Sequence, residues 1–531
     1  MHIMGNGNFK EFPFKTNLFI VLGIVLTFIF FVGALGKVYL FDSSIMYYYG
    51  YLISIGYTPF VDFSTPLLPS LAVFQLIAYN IFGYTYFSGI FFAFILVVFE
   101  YFVVYKLISN FLNNDKIASI FSFLLSVSAI PFTSNLYYNH VILALISIWF
   151  LIMYSEFKNS KLNVYFSFLN AVIISILLLV KIHWGVVVLV IQLFNELMFN
   201  RKGVKNVVYK FFTWGGIFIS ISFLVFYISN NASFYNYSEN IKLISTDFSF
   251  RTSINFRGLL KLLINLPSNI TGGIEISPLS ITLILLSPIL FSFKKLFGQF
   301  KLEFVLILEV VFISFTLIFN SLETQTILLP LNALIILFFF IIFQNFNNLS
   351  GVIYIFLFFH ILFSFFYVIN GNRKLYDELS GTFGEIGIMP KFHLNTGNST
   401  SSPEVNLFFK GIDLTKNQVC AFNYIDSVVT KNKNCSIYFG PELEMFNVIY
   451  KVKPIKGFPL WVHPGLTVSN TMYNDLKNKL ENSHPKIIFI SKKRINFLPF
   501  LLDDSFLINN KYQKFGFDND LSFVACYIRK D

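Results

Sequence analysis

Charge is what this sequence has least of. Only 13% of its 531 residues are Asp, Glu, Lys or Arg, where a soluble chain of ordinary composition carries roughly a quarter. That shortfall excludes a water-bathed globule as the main body of the protein. Cysteine is nearly absent too. Cys420, Cys435 and Cys526 all fall in the C-terminal third, none with Cys-x-x-Cys spacing, so no zinc or redox motif is present. Pairing of Cys420 with Cys435 stays open for a region outside the cell, since disulfides belong to oxidising compartments. There is no Gly-x-x-x-x-Gly-Lys-Ser/Thr, no Gly-x-Gly-x-x-Gly after a strand and no His-Glu-x-x-His. The common nucleotide cradles and the zinc-protease helix are therefore missing.

Apolar and aromatic surface is abundant instead. The chain is 55% hydrophobic, with 71 phenylalanines, and its mean hydropathy is +0.67. Runs of about 20 apolar residues, the length that spans a bilayer as a helix, recur through the first two thirds. A polytopic α-helical membrane protein is expected, with about eleven transmembrane helices at 17–36, 86–108, 117–132, 140–155, 163–180, 183–199, 211–229, 276–293, 302–320, 324–343 and 350–369. The first run follows Lys10 and Lys15, exceeds a signal-peptide core and lacks an Ala-x-Ala cleavage site, so it reads as an uncleaved span with a cytoplasmic N-terminus.

One apolar stretch, 67–82, decides the topology. If it does not cross, Lys158/Lys161, Arg201/Lys202/Lys205/Lys210 and Lys294/Lys295/Lys301 all lie inside, while "PFTSNLYYN" and "SLETQT" lie outside without Lys or Arg. If it crosses, the three basic clusters move outside, against the positive-inside rule. The stretch is therefore placed as a surface or re-entrant helix, and the net charge of +11 is assigned to topology rather than to nucleic acid. The resulting domains are a membrane domain, 1–370, with outer loops at 37–85 and 230–275, and an extracytoplasmic α/β domain, 371–531. In the latter "CSIYFG", "KIIFIS" and "LSFVACYI" read as strands and "VSNTMYNDLKNKLENS" as an amphipathic helix.

Candidate chemistry gathers on the outer side. Asp42 follows the first span closely, and a carboxylate beside hydrocarbon needs water or a partner; the bland alternative is a helix-end acid in the headgroup layer. The stretch after it, "MYYYGYLISIGYTPFVDFSTP", is broken by Gly56, Pro59 and Pro66 and so forms two surface helices around a turn. That arrangement is expected to hold Asp42 and Asp62 together at a cavity rim, where a carboxylate can act as general base. Lys181 and His183, in "LLLVKIHWG", fall in the turn between two spans; a fixed cation there suits a lipid-linked phosphate, and a snorkelling lysine is the equal alternative. Arg251 and Arg257, with Lys242 and Lys261, lie on the second outer loop, where Arg suits a diphosphate and a solvated helix is the bland reading. His140 opens a span and is more often structural than a ligand.

These elements together resemble the C-type integral-membrane glycosyltransferases. The likeness rests on an early outer-loop Asp, "GYTPFVDF…P", a Lys181-x-x-x-Gly185 element closing the fifth span, and a terminal outer α/β domain. The nearest relatives are protein mannosyltransferase and lipid A aminoarabinose transferase families. The segment "CSIYFGPELEMFNVIYKVKPIKG" is similar to a strand-loop element of bacterial and archaeal members. The resemblance implies that Asp42 is the catalytic base and that Lys181, Arg251 and Arg257 hold the phosphate of a polyprenyl-phosphate sugar donor. The acceptor is a lipid, glycan or protein hydroxyl. This chain has Asp42-Ser43 where many relatives have Asp-Glu, and lacks Trp-Trp-Asp. No metal ligand and no cofactor is assigned; a divalent cation stays open, although one carboxylate makes a weak metal site. A transporter or flippase, and a non-catalytic cell-envelope assembly protein, are the alternative readings.

Overall fold

The computed structural model describes residues 20–25, 41–112, 118–119, 122–123, 138–158, 163–199, 204–245, 402–410, 416–432, 435–464, 467–469, 471–515 and 524–530. The four expected spans between 276 and 369, and Arg251 and Arg257, lie outside them.

Within the segment 37–85, α1 (Phe41–Ser54) and α2 (Ser70–Phe82) are joined by a turn. At 13 residues, α2 is about 20 Å long and too short to span, since each helical residue rises about 1.5 Å. There follow α3 (Tyr86–Leu112), α4 (Tyr138–Lys158), α5 (Asn163–Val180), α6 (Ile182–Phe199), α7 (Val204–Ile228) and α8 (Phe234–Ser245). Two of these, through Tyr86–Val103 and Lys205–Ile228, are long and apolar enough to cross a membrane; α4, α5 and α6 carry shorter apolar stretches.

Helices α5 and α6 fold back on each other at the single residue Lys181. The Lys181 N–H still bonds to the Leu177 carbonyl, and the Gly185 N–H returns to the Lys181 carbonyl. A Cβ on Gly185 would come within 2.5 Å of the Leu178 backbone. The Lys-x-x-x-Gly spacing thus has a packing cause, because only glycine lets the second helix pass so close to the first.

Lys210 is a correction to the sequence reading. It belongs not to an inner loop but to α7, which starts at Val204 rather than near 211. Its ammonium meets two buried carboxylates, Glu156 of α4 at 2.7 Å and Glu196 of α6 at 2.6 Å, and its side chain is only 12% exposed. Asn170 donates to Glu156 at 2.6 Å, and Trp149 donates to Gln192 at 3.0 Å. Charge inside apolar helices persists only when paired in this way. The helix thus begins about two turns before residue 211.

The C-terminal part contains α9 (Pro403–Phe408), α10 (Lys416–Lys431), β1 (Ile437–Phe439), α11 (Met445–Ile449), α12 (Met472–Ser483), β2 (Ile487–Ser491), α13 (Asp504–Asn509), β3 (Tyr512–Phe515) and β4 (Val524–Arg529). The sheet order is β1-β2-β4-β3. β1 and β2 are parallel, with α12 in the crossover between them, and the other two pairings are antiparallel. One sheet face packs with α12 and α13. The other shares a continuous core with α9, α10, α11 and the outer-loop helices. All three cysteines are free thiols, so Cys420 and Cys435 are unpaired; burial pushes the Cys526 thiol up to about 12.

Removing Lys210 leaves two buried carboxylates facing each other, and breaking such a pair costs about 3–5 kcal/mol. Lys210→Met is expected to lower the thermal unfolding temperature of the detergent-solubilised protein sharply, with Lys210→Arg retaining most of it. A Lys210→Met protein as stable as wild type overturns this account of α7.

Candidate functional site at the outer loop

Helix α1 is amphipathic toward nothing: every residue from Ile45 to Ile53 is buried. It lies between α2 and α3 on one side and α11 of the C-terminal part on the other. Four tyrosines occupy this sandwich, and a buried hydroxyl costs free energy unless it finds a partner. Tyr47 donates to the Tyr86 carbonyl and stacks on its ring at 5.2 Å. Tyr49 donates to the Leu67 carbonyl at 3.2 Å, and Tyr51 to the Val452 carbonyl at 3.2 Å. Tyr48 faces Glu444 and Tyr438. Tyr79 of α2 donates to the Tyr47 carbonyl at 2.8 Å, which fixes the two helices antiparallel.

The turn after α1 is pinned from two directions. Tyr57 donates to the Pro454 carbonyl at 2.7 Å. The N–H groups of Gly457 and Leu460 bond to the carbonyls of Asp62 at 2.6 Å and Ser64 at 2.8 Å. Asp62 accepts from the Thr58 N–H at 3.0 Å and pairs with Lys456 at 2.7 Å, whose ammonium sits 5.0 Å over the Tyr57 ring. From below, Asn230 donates to the carbonyls of Ile53 at 2.8 Å and Tyr57 at 3.0 Å. Asn240 caps both backbone groups of Thr65. The segment 452–460 is thus a latch across the turn between α1 and α2.

This geometry separates residues that the sequence reading put together. Asp42 stands in the first turn of α1, the end where the helix dipole favours negative charge. Asp62 lies in the turn past the other end of the helix, whose rise from 42 to 54 is roughly 18 Å. The two aspartates thus stand beyond opposite ends of the buried run of one unbroken helix, α1. Lys181 also belongs to the Asp62 end: Ser70, opening α2, donates to the Leu179 carbonyl at 2.8 Å. His183 and His140 occupy the first turns of α6 and α4. Lys242 on α8 pairs with Glu239 at 2.6 Å in an exposed bridge.

Two residues at this site escaped the sequence reading. Lys410 is exposed and follows Phe408 and Phe409, whose rings pack on Tyr47 and Tyr86 at 6.0 Å and 5.3 Å. It therefore belongs to the Asp42 end, and no local motif marks it. Glu444 is buried where α11 meets α1. Burial, with the nearby Glu442 charge, holds its carboxyl well above the usual range. At Asp62, partial burial raises the value but is outweighed by the Lys456 and Thr58 hydrogen bonds and by the Lys456 and Lys453 charges, so the net shift is downward. Among the described residues no group of three or more His, Cys, Asp or Glu is placed to hold a metal ion. No protein-family model matches the chain, and no curated protein matches it closely enough to count as a relative.

The two carboxyls give latch docking opposite pH limbs. Asp62, with its lowered folded value, contributes stability that is present above the ordinary 3.8 and is lost as pH falls through the folded value. Glu444, with its raised folded value, leaves docking strongest below the ordinary 4.5 and weakens it as pH climbs toward the folded value. Proteolysis of the 440–460 region against pH is expected to lose its acid limb in Asp62→Asn and its alkaline limb in Glu444→Gln. Identical profiles in wild type and both variants would contradict this.

Proposed function

We propose that the chain is a multi-pass membrane glycosyltransferase, with a cytoplasmic N-terminus and the C-terminal α/β domain on the outer face. It transfers a sugar from a polyprenyl-phosphate donor to an acceptor hydroxyl. The observation that carries this reading is the placement of Asp42 in the first turn of α1, on a helix held rigid by buried tyrosines. A catalytic base must be positioned before its pKa matters, and a packed helix end supplies that positioning. In this scheme Asp42 takes the acceptor proton, the acceptor oxygen bonds to the anomeric carbon, and the bond to phosphate breaks with inversion. Polyprenyl phosphate leaves.

The donor phosphate needs a cation near Asp42. Lys181 stands at the far end of α1, so Lys410 is the described lysine best placed for that role, alongside Arg251 and Arg257 from the sequence reading. Asp62, engaged by Lys456, acts as a positioning residue for the loop. A transporter is favoured by one feature alone, the Glu156–Lys210–Glu196 cluster inside apolar helices. Solute flux in proteoliposomes without glycosyl transfer would decide for it.

With purified protein and a labelled lipid-linked sugar, Asp42→Asn is expected to lower kcat by about 100-fold or more, the usual scale of a general base. Lys410→Gln is expected to raise the donor KM with a smaller effect on kcat. Unchanged turnover in Asp42→Asn removes the catalytic assignment.

A further inference from the structure

The latch that crosses the outer loop has a second face. In "KVKPIKG", residues 451–457, the backbone carbonyls of Val452 and Pro454 point inward onto Tyr51 and Tyr57. Pro454 is buried, whereas Lys451, Lys453 and Lys456 are exposed. Lys451 and Lys453 face outward, whereas the Lys456 ammonium turns onto Asp62 and the Tyr57 ring.

A short chain of hydrogen bonds sets their depth, on the reading of α7 as a membrane span. Two residues beyond Ile228, the last residue of α7, the Asn230 carbonyl accepts from the Thr58 hydroxyl at 3.1 Å. The Thr58 N–H bonds to Asp62, and Asp62 pairs with Lys456. Only these links separate Lys456 from the end of the span, which places it at headgroup level. Tyr227, 65% exposed at that same end, is in the position of an interfacial aromatic.

The turn also carries an apolar tip. Val61 is 59% exposed and sits beside Asp62, with Phe60 held at φ +69°. On adjoining α8, Tyr235 and Leu243 are also outward. Apolar tips ringed by lysines are the signature of a surface that meets anionic lipid. Asp62 neutralises Lys456, while Glu239 is taken by Lys242 and Asp475 by Lys479, so the positive charge of the surface is carried by Lys451 and Lys453.

We infer that Lys451 and Lys453, beside the Asp62–Lys456 pair and with the Val61 tip, form a binding surface for the phosphate headgroups of anionic phospholipids in the adjacent leaflet. The surface is separate from Asp42 and independent of any glycosyl transfer. It ties the C-terminal domain to the bilayer as well as to the outer loop.

The test reconstitutes the full chain into vesicles of equimolar phosphatidylcholine and phosphatidylglycerol, then counts retained lipids by native mass spectrometry. Wild type is expected to retain phosphatidylglycerol preferentially, and Lys451→Gln/Lys453→Gln, which leaves the Asp62 pair intact, to lose about fivefold of that preference per lysine. Lys477→Gln/Lys511→Gln, elsewhere on the C-terminal domain, is expected to change nothing. Equal preference in wild type and the Lys451/Lys453 variant overturns the inference, as does an equal loss in the control pair. Failure of the chain to float with the vesicles overturns the membrane reading of α7 itself.

Discussion

A buried tyrosine hydroxyl must find an acceptor, and in α1 the available acceptors are backbone carbonyls from distant parts of the chain. Tyr47 reaches Tyr86, Tyr51 reaches Val452 and, just beyond the helix, Tyr57 reaches Pro454. Each hydroxyl fixes a different neighbour, so the first outer loop, the start of α3 and the C-terminal latch are ordered by one demand. A row of phenylalanines would fill the same volume without selecting these partners. The net gain from each bond is modest, about 1 kcal/mol, but leaving one unmade inside the sandwich costs about 1–3 kcal/mol. The tyrosines therefore act more strongly against wrong arrangements than for the right one.

The same economy governs the helices below. Glu156 and Glu196 would each be intolerable alone among apolar helices, and Lys210 makes both acceptable at once. Since the three come from α4, α6 and α7, the cluster fixes the mutual register of those helices. Dispersion between apolar faces is too uniform to do so. Gly185 performs the complementary task by shape, allowing α5 and α6 to turn on Lys181 alone.

Much of the architecture was legible from pattern. The apolar run gives the bounds of α5 to the residue, the Gly and Pro breaks give a helix, a turn and a helix in the aromatic segment, and apolar runs mark three of the four strands. β3 is not marked, because "YQKF" buries one residue in four and has no run to detect. α10 was also missed, since its Val, Ile, Thr and Cys content weakens the local helix signal. The site was harder to read. Asp42 and Asp62 are close in sequence, but an unbroken helix carries them apart. Lys410 and Lys456 are remote in sequence and reach the loop only through tertiary packing, which no local periodicity records.

The latch joins residues separated by 394 positions. On a ribosome adding roughly 5–20 residues each second, the Asp62 turn waits about 20–80 s before Lys456 exists. During that interval the hydroxyls of Tyr51 and Tyr57 lack their Val452 and Pro454 acceptors, and the carboxylate of Asp62 has the local Thr58 N–H but not Lys456. The α1–α2 turn is thus a half-made joint for most of the chain's synthesis, completed only when residues 452–460 arrive. Biogenesis of this protein is then a closing operation, in which the final domain to emerge completes the first loop that was laid down.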